Sequence, residues 1–524
     1  MKMHNNDKIH FIGVGGASLS ALAKLMYMRG KKVTGSDREL SAVTHELTKL
    51  FPVYIGENPA LVLGCDLVVF SSAVKEDNLE LKEARRQGIP TLERHQFLGE
   101  IAKEFERTVA VGGTHGKTTV TALLTHALMK LDAPFTAHVG GETEYGNLVT
   151  KGGDIFVTEA CEYKRSLLSL NPHISVVLNA ECDHPDCYQD LKSVLAVFLT
   201  FLSQGEIQVF STDFVGVCSN GHMTINDNEK WTILDKGKTQ CQKMGKRGES
   251  GVIVSSNGKV DILTYKNFGT PKMNSLADEK LCCDENEKHL LKVCDNKILA
   301  DDDKALTDEN KKSAFENNAP AYTGKVLVYE NGVYVTAVKP YDDNQSTPEN
   351  ILFALAVLKV LGYDYDESGK ALESFGGVKR RNEFVGKIDG ARVVFDYAHH
   401  PTQIRGILSS QRGKTMVVFQ PHTYSRTKAY FDEFCSSLAE AHTLVIMGTY
   451  GARESASDGV DSDALAHAIS TKFAKQDVYG VLSFDKTLDF VISRAKDHDN
   501  VLFLGAGDIY LLKDMLTPFL DKPR

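Results

Sequence analysis

The run Gly112-Gly113-Thr114-His115-Gly116-Lys117-Thr118-Thr119 gathers residue types that hold phosphate. It follows an apolar strand, Thr108–Val111, and opens a helical stretch, Thr118–Lys130. Glycines let backbone amides close on phosphate oxygens, Lys117 brings a point charge to the terminal phosphates, and the Thr118 hydroxyl can bind magnesium. Position 111 is valine, so the full Gly-x4-Gly-Lys-Thr spacing is absent. A glycine-rich turn beside a surface lysine is the bland alternative, and the strand–loop–helix setting outweighs it. Glu159 ends the apolar strand Asp154–Thr158, where its side chain can reach a magnesium ion held by Thr118. Asp183-His184 follow the next strand, Ile174–Asn179. Open α/β sheets collect ligands at the C-terminal edge of their strands, so these polar groups are expected at one edge.

Two further glycine turns follow strands. Gly13-Val14-Gly15-Gly16-Ala17-Ser18 lets a backbone approach a diphosphate, with a helix N-terminus behind it. Asp37 ends the second strand 24 positions after Gly13, where a ribose-binding acid belongs, and Ser18 replaces the third glycine of the dinucleotide fingerprint. A uridine diphosphate fits this turn as well as a dinucleotide does, and a plain tight turn is the alternative to both. For Gly505-Ala506-Gly507-Asp508-Ile509 a sheet-edge turn explains the glycines as well as a ligand does. In the last third, Asp396-Tyr397-Ala398-His399-His400-Pro401 follows one strand and Gln420-Pro421-His422-Thr423-Tyr424-Ser425-Arg426-Thr427 the next. Adjacent histidines on a turn rarely point at one ion, which favours substrate contacts over metal ligation, with helix capping as the third reading.

These groups need elements to place them. Lys8–Val14, Lys32–Gly35 and Leu67–Ser71 read as strands, Ser18–Arg29 and Leu79–Gln87 as helices, and such alternation implies a mostly parallel sheet covered by helices. A second alternating unit opens at Thr108. From 220 to 321 the chain is polar, with strand-like pieces at Gly251–Ser255 and Lys325–Tyr329, and is expected to form loops and small β elements on a domain rim, partly disordered. Helical periodicity returns at Pro348–Leu361, and a third unit has strands at Ala391–Phe395, Thr415–Phe419, Thr443–Met447 and Asn500–Leu504. The expected division is therefore 1–106, 107–346, a helical connection at 347–374, and 375–524.

Composition narrows the function. The 524 residues are 42% apolar and 25% charged, which excludes wholesale disorder. With 60 basic against 69 acidic residues the net charge is −9, so nothing global attracts nucleic acid or an anionic membrane. No apolar run approaches the ~20 residues that span a bilayer, and the polar start carries no export signal. Ten cysteines in so long a chain, without zinc-site spacing, read as reduced thiols. A soluble cytosolic globular protein is expected.

Taken together, the motifs resemble those of the Mur ligases, in particular the branch that adds the first amino acid to the UDP-sugar precursor of peptidoglycan. The resemblance rests on Gly13–Gly16 with Gly35-Ser36-Asp37, on Gly113–Thr119, on Glu159-Ala160-Cys161-Glu162-Tyr163 and Asp183-His184, and on Gly377-Val378-Lys379-Arg380-Arg381 with the two C-terminal histidine turns. It implies an α/β protein of three domains: a Rossmann-like N-terminal domain for UDP-N-acetylmuramate, a central P-loop-type ATPase domain, and a C-terminal Rossmann-like domain for the amino acid. It implies ATP-dependent joining of L-alanine to the UDP-N-acetylmuramate carboxylate through an acyl phosphate, with ATP and Mg²⁺ required, in a monomer or homodimer. It also implies residue roles. Gly113, Thr114, His115, Gly116, Lys117, Thr118, Thr119, Asn350, Arg381 and Asp396 would meet ATP, while Thr118 and Glu159 hold one magnesium and His184 a second. Gly13, Gly15, Gly16, Ser36 and Asp37 would meet the UDP-sugar. Tyr397, His399, His422 and Arg426 would lie near the amino acid, and Lys117, His184, Arg381 and His399 would be catalytic. The family's His-Asn-x-x-Asn-Ala stretch reads Glu349-Asn350-Ile351-Leu352-Phe353-Ala354 here. Two alternatives stay open: a peptide-adding recycling ligase of the same family, and a catalytically weakened relative that only binds.

Overall fold

The computed structural model describes residues 7–183, 187–211, 214, 251–256, 259–267, 326–330, 333–339, 347–452, 454, 460–473 and 477–521. Three sheets form. In the first, Lys8–Ile12 (β1), Lys32–Asp37 (β2), Val53–Ile55 (β3), Leu67–Phe70 (β4) and Thr91–Glu93 (β5) run parallel in the order β3-β2-β1-β4-β5. This doubly wound order reverses direction between β1 and β4, and the glycine turn leaves β1 at that crevice. The helix Ala17–Met28 buries Leu19, Ser20, Ala21, Leu22, Ala23, Leu25 and Met26, so it is packed on more than one face.

The second sheet comprises Arg107–Gly112 (β6), Phe135–Thr143 (β7), Gly146–Thr150 (β8), Ile155–Glu159 (β9), Ile174–Val177 (β10), Ile207–Ser211 (β11), Gly251–Ser256 (β12), Lys259–Asn267 (β13), Val326–Glu330 (β14) and Val333–Val338 (β15). Its order is β15-β14-β13-β12-β11-β10-β6-β9-β7-β8, parallel from β11 to β7 and antiparallel beyond at both ends. The strand-like pieces expected on a rim are thus hairpins that prolong the main sheet. Lys259, Asp261 and Lys266 punctuate β13, so its strand character was masked by charge. The rest of the polar 220–321 stretch lies outside the described residues.

In the third sheet, Glu383–Ile388 (β16), Ala391–Asp396 (β17), Thr415–Phe419 (β18), Thr443–Met447 (β19), Val478–Leu482 (β20) and Asn500–Leu504 (β21) take the order β16-β17-β21-β18-β19-β20, with β16 alone antiparallel. The period of two splits its side chains between two cores: Val394, Val417, Phe419, Leu444 and Leu502 on one face, Val393, Phe395, Val418, Val445 and Phe503 on the other. The chain divides into two compact units, Met1–Glu181 with Asp190–Gly376, and Cys182–Gln189 with Gly377–Arg524. The first holds the first two sheets, where the Asn147 amide on β8 donates to the Ala17 carbonyl at 2.7 Å.

The third glycine turn is a packing device. Gln420 donates to the Asp508 carboxylate (2.5 Å) and accepts from the Ile509 amide (3.0 Å). A Cβ at Gly507 would stand 2.4 Å from the Gln420 side-chain oxygen and 2.6 Å from Tyr450. Gly507→Ala is expected to cost about 1–3 kcal/mol through this overpacking, and calorimetric unfolding should show it as a lower midpoint. An unchanged midpoint would mean that Gln420 and Tyr450 move aside freely. Among the described residues no disulfide joins the cysteines, and no helix is long and apolar enough to cross a membrane.

Candidate active site

The phosphate loop leaves β6 and enters the helix Lys117–Lys130 through Gly116, which takes a left-handed φ of +85°. No side chain caps that helix, so its first amides remain for an anion. Asn179, just beyond β10, braces the loop: its carbonyl accepts from Thr114 N–H (3.2 Å) and its side-chain oxygen from His115 N–H (2.8 Å). A Cβ at Gly113 would come within 3.0–3.2 Å of Leu178 and Asn179, so the loop is packed to the backbone there. Asn350 Oδ1 lies 3.2 Å from where a Gly116 Cβ would be. Its altered neighbours diverge, with Glu349 exposed and Phe353 buried in the core.

Lys117 Nζ donates to the Gly113 carbonyl (2.5 Å), the Thr114 carbonyl (3.1 Å) and the buried Glu162 carboxylate (2.9 Å). Burial opposes its charge, but the Glu162 carboxylate, with Cys161 and Glu159 near it, prevails and holds the ammonium above its usual range. Glu162 was quoted among the motif residues without a role. Its signal was a second acid three residues past the strand end.

Glu159 pairs across the sheet with Val111, at the root of the loop, and its carboxylate accepts from Gly140 N–H at 2.6 Å. A Cβ at Gly140 would sit 2.6 Å from both carboxylate oxygens, so glycine there makes room for the acid. The Thr118 hydroxyl and this carboxylate are hard oxygen donors, a donor set whose chemistry fits magnesium. His184, the other expected ligand, lies outside the described residues.

At the first glycine turn, Ser36 and Asp37, two of the residues expected to meet the UDP-sugar, also brace the turn itself. The Ser36 carbonyl accepts from Gly13 and Val14 N–H (2.8 and 3.0 Å), and the Asp37 carboxylate from Gly15 N–H (2.7 Å). The Ser36 hydroxyl donates to Glu80 at 2.5 Å, a fully buried carboxylate that also accepts from Asn58 N–H and faces His10. Nothing in the spacing of Glu80 signals this, because the contact joins a helix to a strand 44 residues away.

In the second unit, Asp396 is likewise committed to backbone. It accepts from the amides of Asn382 and Ala398 (both 2.6 Å) and so fixes the turn carrying Arg380 and Arg381. Burial raises its pKa, with the Arg381 charge opposing. Arg380 lies between the rings of Tyr397 and Tyr510 (4.9 and 4.6 Å), and Arg381 stacks over Tyr397 at 4.7 Å. His399 packs edge-on against His422, with ring centres 5.6 Å apart, and its Nδ1–H donates to the Tyr397 carbonyl. His400 accepts from Thr402 N–H and caps the helix Pro401–Ser410, so the two histidines of the pair part company. Arg426 donates to Asp183 at 3.1 Å, a pair with side chains only 9% and 8% exposed, while its Nη1 is buried without a partner. The fork expected for a substrate carboxylate is thus half engaged by the protein's own acid.

Burial, with the Arg426 charge adding to it, holds His399 well below its usual range and His422 at about 4, and burial with Arg94 lowers His138 to about 3. All three imidazoles are neutral at pH 7. In the unfolded chain they would take protons below about pH 6.5. The unfolded state then binds more protons, so stability should be complete above pH 6.5 and fall as the pH drops from ~6.5 to 5, before the carboxylates titrate. Thermal unfolding across that window tests this, and a flat midpoint would contradict it.

Three family models match successive segments: "Mur ligase family, catalytic domain" over residues 8–106, "Mur ligase middle domain" over 111–213, and "Mur ligase, glutamate ligase domain" over 380–507. A UDP-N-acetylmuramate–L-alanine ligase of Clostridium novyi (strain NT) is 32% identical, with 98% of this chain and 97% of that protein covered. An Acetivibrio thermocellus protein of the same name is 31% identical over 97% of this chain and 95% of its own. Among solved structures, the UDP-N-acetylmuramate–alanine ligase of Thermotoga maritima shares the fold with a TM-score of 0.67 at 24% identity, covering 98% of each chain.

Proposed function

The chain belongs to the Mur ligase family, and we propose from that premise that it joins L-alanine to the carboxylate of UDP-N-acetylmuramate at the expense of ATP, in cytoplasmic peptidoglycan precursor synthesis. The observation that carries the proposal is the phosphate loop with Lys117 held ready by Glu162, in a chain whose near-full-length relatives bear the name of that activity. In the proposed reaction the substrate carboxylate attacks the γ-phosphorus of ATP, an acyl phosphate forms, and ADP leaves. The neutral amine of alanine then attacks the acyl carbon, phosphate departs with the bonding electrons, and the amide remains after the nitrogen loses its proton.

The protein's part is positioning and charge neutralisation. Lys117 exchanges the Gly113 and Thr114 carbonyls for phosphate oxygens, and the uncapped helix start adds amides. Thr118 and Glu159 would hold a magnesium ion, which supplies Lewis-acid polarisation of the phosphates when bound, and His184 is assigned to a second one. Asn350 and Arg381 are assigned to the nucleotide, with Asp396 fixing the Arg381 turn. Tyr397, His399, His422 and Arg426 are assigned to alanine. Both histidines are neutral, so each can accept a hydrogen bond from the alanine amino group, while their depressed pKa makes them weak bases.

Phosphate release in the presence of UDP-N-acetylmuramate, ATP and Mg²⁺ against a panel of acceptors is the test. L-Alanine is expected to be preferred, with weak turnover of glycine and serine, since one methyl or hydroxyl is typically worth only ~1–3 kcal/mol of discrimination. Preference for a preformed tripeptide would move the protein to the recycling branch. No release with any acceptor would leave a binding relative.

A further inference from the structure

Arg380 and Arg381 are neighbours in sequence with opposite commitments. The Arg380 guanidinium is covered by the rings of Tyr397 (4.9 Å) and Tyr510 (4.6 Å), and its Nη2 donates to the carbonyls of Gly507 (3.1 Å) and Gly505 (3.4 Å). Arg381 stacks on Tyr397 at 4.7 Å, and Asp396 feels its charge. Among the described residues the Arg381 side chain makes no hydrogen bond and no ion-pair contact. Its five N–H donors therefore remain for a ligand, whereas Arg380 is bound into the protein.

The backbone around them takes an unusual shape. Arg380 and Asn382 have left-handed φ of +63° and +46°, which residues with a Cβ rarely adopt and which persist only where the surroundings over-determine them. Arg380 N–H donates to Glu383 (2.8 Å), whose other oxygen pairs with Lys513, and the Arg380 carbonyl accepts from Tyr397 N–H (2.7 Å). Arg381 N–H donates to the Val378 carbonyl (3.1 Å), and Asn382 N–H to Asp396. The Arg380 side chain then joins this turn to Gly505–Gly507, whose place is set by Gln420 through Asp508 and Ile509. The spacing of those glycines left a turn and a ligand equally open, and what their carbonyls receive is a guanidinium of the same chain.

We propose that Arg380 is a positioning residue for the ligation reaction. Clamped by Tyr397 and Tyr510 and anchored on the Gly505 and Gly507 carbonyls, it fixes the turn that presents Arg381 and the ring on which Arg381 lies. The inference rests on the proposed function, in which Arg381 is assigned to the nucleotide. Arg380 touches no reacting atom in this account and acts through its neighbour. A displacement of about 1 Å at a reaction centre is enough for a loss on the order of a hundredfold in rate. Tyr510 has no assigned place in the reaction and is 44% exposed, so its ring face against Arg380 is what ties it to catalysis.

Steady-state kinetics of the full chain, with thermal unfolding measured alongside, is the test. Arg380→Met is expected to lower kcat about a hundredfold while the KM for UDP-N-acetylmuramate stays near wild type. Tyr510→Leu should lower kcat about tenfold at an unchanged unfolding midpoint, and Tyr510→Phe, which keeps the ring face, should behave like the wild type. Arg380→Lys keeps the charge without the plane that two rings cover, and should recover little. Arg380→Met combined with Arg381→Gln should be no slower than Arg381→Gln alone, because the first change acts only through the second residue. Losses that multiply in the double variant would give Arg380 a substrate contact of its own and overturn the inference. A wild-type kcat in Tyr510→Leu would overturn it too, and this exposed substitution keeps the inference falsifiable should Arg380→Met fold poorly. Either result leaves the proposed function standing, whereas a wild-type chain with no ligase activity toward any acceptor would overturn both.

Discussion

Lys117→Ala is expected to lower ligation by at least about a thousandfold, the order seen when a preorganised charge is removed from a reaction centre. Affinity for UDP-N-acetylmuramate should stay near wild type, because the glycine turn assigned to it follows β1 of the first sheet, whereas Lys117 follows β6 of the second. The buried Glu162 makes the consequence sharper. Without the ammonium its carboxylate loses that charge partner at 4% side-chain exposure, so it should take up a proton or admit water. Lys117→Ala with Glu162→Gln should therefore be more stable than Lys117→Ala alone, yet equally inactive. Isothermal titration separates UDP-sugar binding from turnover. More than a tenth of the wild-type rate in Lys117→Ala would remove the loop from the chemistry.

Arg426→Ala is expected to cost about 3–5 kcal/mol of stability, since it breaks a buried ion pair and takes the guanidinium from the Asp183 carboxylate. The segment Cys182–Gln189 belongs to the second compact unit, and Arg426 is one of its ties there, with Tyr430, whose hydroxyl donates to the Cys182 carbonyl at 2.9 Å. Replacing both partners, Arg426→Met with Asp183→Leu, should recover most of the loss. Arg426→Lys keeps the charge but not the planar fork, and should raise the KM for alanine far more than that for UDP-N-acetylmuramate. Denaturant unfolding and steady-state kinetics on these variants decide the matter. A loss under 1 kcal/mol in Arg426→Ala would mean that the pair is open to water, and an unchanged alanine KM in Arg426→Lys would place the amino acid elsewhere.

The parallel strands were legible because each is a short apolar run ending in a turn that carries glycine or acid. Lys8–Ile12, Ile155–Glu159, Thr415–Phe419 and Asn500–Leu504 all fall where their runs lie. Phe135–Thr143 and Lys259–Asn267 were not seen, because glycines and charges interrupt their alternation. The phosphate loop was legible for a similar reason, since its function lies in consecutive residues. What the spacing could not convey is which polar groups are already used. Asp37, Asp396 and Arg426 have the right chemistry for a ligand, and each is partly or wholly engaged by the protein's own backbone or acid. Apart from the Ala398 amide two residues on from Asp396, such engagement joins residues from 14 (Asn382 to Asp396) to 243 (Asp183 to Arg426) positions apart, beyond any motif. Ser18, read as a gap in a glycine fingerprint, becomes the junction of Arg94 and His138.

The central claim is that the UDP-N-acetylmuramate carboxylate attacks the γ-phosphorus of ATP before alanine attacks the acyl carbon. With both carboxylate oxygens labelled by ¹⁸O, that route carries one labelled oxygen into the released phosphate and leaves the other in the new amide. Mass spectrometry of the two products reads this directly, with L-alanine as acceptor and the wild-type enzyme. The account predicts singly labelled phosphate in step with amide formation and with ADP. Unlabelled phosphate, or label appearing in AMP, would contradict it.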